Sequence, residues 1–114
     1  MHKRQITVAV VDDDPSILGS VRELLNAEGF ITELASGVIP RVDCLLLDIQ
    51  LAGASGIDLR HHLEACGSKL PIIFMTGLDD EALHRQALNA GCVALLHKPF
   101  VEHQLIDAIE KAVP

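Results

Sequence analysis

Asp48 closes the apolar run Leu45-Leu46-Leu47, and Asp12 and Asp13 close another, Ile6-Thr7-Val8-Ala9-Val10-Val11. A carboxylate at the end of a buried strand is held firmly yet still reaches solvent, which suits a nucleophile or a metal ligand. Acids gathered at one point repel, and some take up protons instead of ionising. A divalent cation resolves that conflict. Hard oxygen donors and retained waters fit Mg2+ (or Mn2+), which often uses one or two carboxylates together with phosphate oxygens. Thr76 ends a third apolar run, Ile72-Ile73-Phe74-Met75, with a hydroxyl, and Lys98 follows a fourth, Cys92-Val93-Ala94-Leu95-Leu96, with a cation. A carboxylate nucleophile, an acid-bound metal, a hydroxyl donor and a lysine are the parts of a phosphoryl-transfer site, because that chemistry is mostly positioning and charge neutralisation. Singly, the residues have plainer readings: Asp48 and Thr76 as strand ends, Lys98 as a solvated charge. The recurrence of suitable chemistry at four strand ends favours a shared site.

The elements that must carry these residues alternate along the chain. Continuous apolar, β-branched runs are typical of strands buried on both faces of a parallel sheet. Helices are predicted after the first, third, fourth and fifth strands. The first has Asp14 as cap, Pro15 at its first position and Gly29 at its close, with Ile17, Val21, Leu24 and Leu25 inward. Ser55 caps the next, carrying Leu59, Leu63 and Cys66; Asp79 starts another, with Leu83, Ala87 and Ala90 inward. The last carries Val101, Leu105, Ile109 and Ala112 on one stripe. Phe30 to Ala35 reads as a shorter edge strand. This alternation predicts an α/β fold, a doubly wound five-stranded parallel sheet with helices on its faces. In the flavodoxin-like strand order 2-1-3-4-5, ligands bind between the ends of strands one and three. Those ends carry Asp12, Asp13 and Asp48.

Composition narrows the function classes. The chain of 114 residues fits one domain, 1–114, and 49% hydrophobic against 22% charged residues argues against disorder. No apolar run has the length of a membrane span, and the first residues lack a signal-peptide pattern, so a soluble, cytoplasmic protein is expected. A net charge of −7 disfavours direct nucleic-acid binding, and the absence of Tyr and Trp removes the usual stacking platforms. Cys44, Cys66 and Cys92 are odd in number and scattered, which predicts free core thiols. His61, His62, His84 and His103 read as solvated helix positions, and Arg60 as surface charge. His97 reads as a strand-end surface residue or as a neighbour tuning the charge at Lys98.

The segments Val10-Val11-Asp12-Asp13-Asp14-Pro15, Leu46-Leu47-Asp48-Ile49-Gln50-Leu51-Ala52-Gly53-Ala54-Ser55-Gly56, Phe74-Met75-Thr76-Gly77 and Lys98-Pro99-Phe100 occur in the order of a receiver domain of two-component response regulators, which the chain resembles over nearly its whole length. Thr76-Gly77 and Lys98-Pro99-Phe100 are closest to FixJ-like receivers. The resemblance implies that Asp48 accepts a phosphoryl group from a phosphohistidine on a sensor histidine kinase or phosphotransfer protein. It implies that Asp13 binds Mg2+ directly, that Asp12 holds it mainly through water, and that Gln50 offers a backbone carbonyl. Lys98 would pair with the phosphoryl group, Thr76 would turn to hydrogen-bond it, and the Lys98-Pro99 peptide would be cis. Output would follow as altered binding, to a second copy or to another domain, with transcription controlled through a domain outside this chain.

Two features depart from the family. The position three before the lysine, usually aromatic, is Leu95, so output is expected to rely on backbone movement around Thr76 and strand five. Only Ser36 to Asp43 join strands two and three, where receivers insert a helix. Fully extended, that stretch reaches ~27 Å, which makes the crossing feasible but tight. Either the second helix is deleted or a segment is absent from the sequence as given. A haloacid-dehalogenase-like phosphatase would use Asp12 and Asp14 but leaves Asp48 idle and needs a longer chain. A flavin mononucleotide module would place phosphate against three acids, where backbone donors are required. A receiver that has abandoned phosphorylation has no need of the full acid set.

Overall fold

Each apolar run forms a strand, and residue alternation divides each strand between two cores. The computed structural model describes residues 5–34, 41–51 and 53–113. Its elements are β1 (Thr7–Val11), α1 (Pro15–Ala27), β2 (Ile31–Leu34), β3 (Cys44–Asp48), β4 (Gln50–Leu51), β5 (Ala54–Ser55), α2 (Gly56–Ala65), β6 (Ile72–Thr76), α3 (Glu81–Ala90), β7 (Ala94–His97) and α4 (Glu102–Ala112). β4 and β5 form a small antiparallel hairpin. The long strands make a parallel sheet in the order β2-β1-β3-β6-β7, the flavodoxin-like order 2-1-3-4-5 expected of five strands.

Because successive strand side chains point to opposite faces, Val8, Val10, Leu46, Ile73 and Met75 pack with Val21 and Leu25 of α1 and Leu105 and Ile109 of α4. Ala9, Leu45, Leu47, Ile72 and Phe74 pack on the other face with Ile57 of α2 and Ala87 and Ala90 of α3. Every residue of β3 and of β6 is buried. Burying each Leu, Ile or Phe contributes roughly 1.5–3 kcal/mol, so the two central strands are the rigid support on which site residues stand.

Four helices lie among the described residues, none of them between β2 and β3. The Ser36–Asp43 connection falls largely on residues 35–40, outside the described ones. At its end, Asp43 is pinned to β1: its N–H donates to the Thr7 carbonyl and its carboxylate accepts from the Thr7 N–H, both at 2.8 Å.

Local signals mostly correspond to local structure. Asp14 accepts from the Ser16 N–H at the start of α1, with Pro15 in the first turn, and Ser55 accepts from the Ile57 N–H. Gly29 ends the α1 turn at a φ of 87°, which a Cβ disfavours. Three expectations are corrected. The cap of α3 is Asp80, which accepts from the Leu83 N–H, not Asp79. Val101 is 54% exposed and precedes α4, held by the Gln104 side chain accepting from its N–H, so it leaves the buried stripe to Leu105 and Ile109. All three cysteines are free, but Cys66 is exposed, because α2 ends just before it.

Candidate functional site

Strand register decides which strand-end residues meet. Val11 pairs with Leu47, so Asp12 follows β1 at the level where Asp48 ends β3. Thr76 pairs with His97, which sets Lys98 just beyond the sheet. The Lys98 N–H donates to the Thr76 carbonyl at 2.7 Å, and the Lys98-Pro99 peptide is cis, as the resemblance implied.

Asp12 and Asp48 are built alike. Asp12 Oδ1 accepts from the Asp14 N–H at 2.9 Å, and Asp48 Oδ1 accepts from the Gln50 N–H at 3.0 Å. Each is a carboxylate bonding the backbone two residues on, a turn geometry natural to Asp. Their second oxygens converge on one cation: Lys98 Nζ donates to Asp12 Oδ2 and to Asp48 Oδ2, both at 3.0 Å. Asp12 is 8% and Asp48 6% exposed. Burial pushes the Asp48 carboxyl above its ordinary value and the Asp12 charge adds to that, against the Gln50 N–H and Lys98, which favour the carboxylate. Burial disfavours the Lys98 ammonium, but its bonds to Asp12 and Asp48 prevail and raise it.

The remaining predicted residues surround this pair. Thr76 is fully buried, and its Oγ1 accepts from the Leu78 N–H at 3.1 Å. Leu95 is half-buried in β7, against the α2 and α3 side of the sheet. Asp13 and Gln50 are exposed beside Asp12 and Asp48. Among the described residues no group of three His, Cys, Asp or Glu side chains forms a ready-made metal cluster. The donor set still fits a hard cation: two carboxylates drawn together by a lysine, with Asp13 next in sequence, suit an ion that takes few carboxylates and keeps its waters.

Sequence reasoning missed four contributors. Gly56 opens α2, donates its N–H to the Ile49 carbonyl at 2.7 Å, and lies so close to Asp48 that a Cβ would collide with the Asp48 carbonyl. Its presence in a matching segment was the available signal. Arg60, read as surface charge, donates Nε–H to the Gly91 carbonyl at 3.0 Å and ties α2 to the end of α3. His84, read as a solvated position, and His97, read as a strand-end surface residue or a neighbour tuning the charge at Lys98, bond the loop after Thr76. His84 Nε2 lies 2.8 Å from the Leu78 carbonyl and His97 Nε2 2.9 Å from Asp79 Oδ1. These partners are separated in sequence and carry no local pattern.

A doubly wound parallel sheet in this strand order, with paired acids and a lysine beyond its carboxyl edge, is the flavodoxin-like receiver fold. Residues 8–110 match the family described as "Response regulator receiver domain", and the chain belongs to it. Among its relatives, the response regulator protein TodT of Pseudomonas putida is 31% identical over 121 residues, covering 99% of this chain and 53% of TodT. The transcriptional regulatory protein FixJ of Bradyrhizobium diazoefficiens is 32% identical over 114 residues, covering 93% of this chain and 56% of FixJ. The crystal structure of FixJ-N superposes with a TM-score of 0.87 at 28% identity, over 96% of this chain and 94% of that one. The receiver is thus FixJ-like. The chain spans about half the length of these two relatives. No helix among the described residues is long and apolar enough to cross a membrane.

Proposed function

We propose that the chain is the phosphoacceptor switch of a two-component system, in which Asp48 takes a phosphoryl group from a phosphohistidine of a sensor histidine kinase or phosphotransfer protein. A carboxylate oxygen of Asp48 forms the new bond to phosphorus as the bond to the donor imidazole breaks, leaving an aspartyl phosphate on the chain and a free histidine on the partner. The observation that carries this reading is the single lysine shared by Asp12 and Asp48. It holds the acceptor carboxylate in place and is poised to pair with an arriving phosphoryl oxygen, a role for a preorganised cation.

Asp13, Asp48 and the Gln50 carbonyl would hold Mg2+ (or Mn2+) directly and Asp12 mainly through water. The ion, when bound, supplies neutralisation of phosphoryl charge. Thr76 would exchange its Leu78 partner for a phosphoryl oxygen, and the changed surface would alter binding, to a second copy on phosphorylation or to an output domain. The chain is read as a signalling switch and not an enzyme, one that takes part in its own Mg2+-dependent phosphoryl transfer and dephosphorylation. Its setting is the cytoplasm, and its output is transcriptional through a domain outside this chain. That output is supported by the name of the longer relative FixJ. A net charge of −7 opposes direct contact with nucleic acid.

Incubation with Mg2+ and acetyl phosphate, followed by intact mass, tests the assignment. The expected result is the gain of one phosphoryl group, abolished by Asp48→Asn. A gain that survives that substitution refutes it.

A further inference from the structure

The loop between β6 and α3 carries the switch hydroxyl, yet side-chain packing does little to hold it. Leu78 is 41% exposed, and Gly77, Asp79 and Asp80 are exposed as well. Polar ties hold it instead, and they come from three elements, β6, α3 and β7. Leu78 is bonded through both of its backbone polar groups: its N–H donates to Thr76 Oγ1, and its carbonyl lies 2.8 Å from His84 Nε2 on α3. A carbonyl can only accept, so His84 Nε2 carries the proton. The next residue, Asp79, accepts from His97 Nε2 at the end of β7. The two imidazoles also meet edge to face, with ring centroids 6.4 Å apart and planes at 79°. Two positions before His97, on the same face of β7, Leu95 offers neither a ring nor a polar atom.

We infer that His84 and His97 are positioning residues that latch the Gly77–Asp80 loop, and through Leu78 the Thr76 hydroxyl, in the arrangement without a phosphoryl group. The inference rests on the phosphoacceptor reading of Asp48. When Thr76 turns toward a phosphoryl oxygen, the Leu78 N–H loses its acceptor, and a shift of the loop separates the Leu78 carbonyl from His84. Whatever bonds only one of two arrangements weights the equilibrium toward it. His84 is the more direct tie, because it bonds Leu78, the residue whose N–H donates to Thr76 Oγ1, whereas His97 reaches Asp79, one residue further on, in a surface ion pair of the kind that contributes little. Release of the latch therefore favours the phosphorylated arrangement.

The test uses beryllium trifluoride with Mg2+, a mimic of a phosphoryl group on a carboxylate, and compares the parent with His84→Leu and His84→Gln. His84→Leu removes the donor at a helix surface position, whereas the Gln amide restores an N–H near the place of Nε2. One net hydrogen bond lost from one arrangement corresponds to roughly threefold to tenfold in an equilibrium. The expected result is beryllofluoride binding tightened by that factor in His84→Leu, faster hydrogen exchange at the Leu78 amide, and both returned by His84→Gln. Unchanged affinity and exchange in His84→Leu overturn the latch. So does failure of His84→Gln to restore them, which would assign the effect to packing. A parent chain that does not bind beryllofluoride refutes the reading of Asp48 instead, and Leu78 amide exchange still decides the latch.

Discussion

Lys98 Nζ stands 3.0 Å from Asp48 Oδ2, and the same nitrogen stands 3.0 Å from Asp12 Oδ2, so one cation offsets two buried carboxylates. Removing it leaves both acids without their shared partner. Lys98→Met is expected to destabilise the fold by about 3 kcal/mol. The loss is read from urea unfolding and is expected to shrink when Mg2+ is added, because a bound cation replaces the missing charge and stabilises the folded form by mass action. An identical loss with and without Mg2+ would count against a metal held by these acids.

Asp48 carries the cost of that burial. Its carboxyl lies above its ordinary value of 3.8 in the folded chain, chiefly through burial. Below 3.8 the group is protonated in both states and contributes nothing. Between 3.8 and the higher folded value the folded state keeps a proton that the unfolded chain has released, so stability falls as pH rises through that window. Asp48→Asn removes the fall, and at neutral pH it is expected to be more stable than the parent by about 1 kcal/mol. Urea midpoints across the acid range check both sign and size.

Gly56 is where the backbone of the acceptor strand meets α2 with no room for a side chain. A Cβ there would collide with the Asp48 carbonyl, which is main chain and cannot swing aside. Gly56→Ala is expected to cost about 1–3 kcal/mol through overpacking and to slow phosphorylation by acetyl phosphate, since the displaced atoms belong to the acceptor residue. Parent-like stability and parent-like phosphorylation together would mean that the contact relaxes freely.

The three thiols are expected to separate by reactivity. The thiolate is the nucleophile, and burial, with Asp43 adding to it, pushes the Cys44 thiol up to about 12. Burial also raises Cys92, against the pull of Arg60. Cys66 is exposed at the end of α2. Alkylation of the native chain at mildly alkaline pH, followed by peptide mass, is expected to modify Cys66 first, then Cys92, with Cys44 reacting only on unfolding.

Much of the fold was legible because a strand buried on both faces must be apolar throughout, and its chemistry can appear only where the burial stops. Leu45-Leu46-Leu47 before Asp48 and Val8-Ala9-Val10-Val11 before Asp12 state that rule directly, and Asp14-Pro15 and Ser55 mark helix starts by local hydrogen bonding. Where two residues were locally equivalent, as with Asp79 and Asp80, the sequence could not choose the cap. The structure uses Asp80 there and gives Asp79 to His97.

What the sequence by itself determined was the five strands of the parallel sheet and the four helices, their alternation and the residue types at their ends, all consequences of local periodicity and turn chemistry; the β4–β5 hairpin carried no such pattern. Tertiary structure alone decided that Val11 lies level with Leu47, that Lys98 reaches from the end of β7 to both Asp12 and Asp48, and that Gly56 must stay bare against the Asp48 carbonyl. It also decided that His84 and His97 hold the loop behind Thr76. Those contacts join segments far apart in the chain, several through backbone atoms that every residue possesses. The register of the folded sheet brings them into being, and no run of side chains announces them.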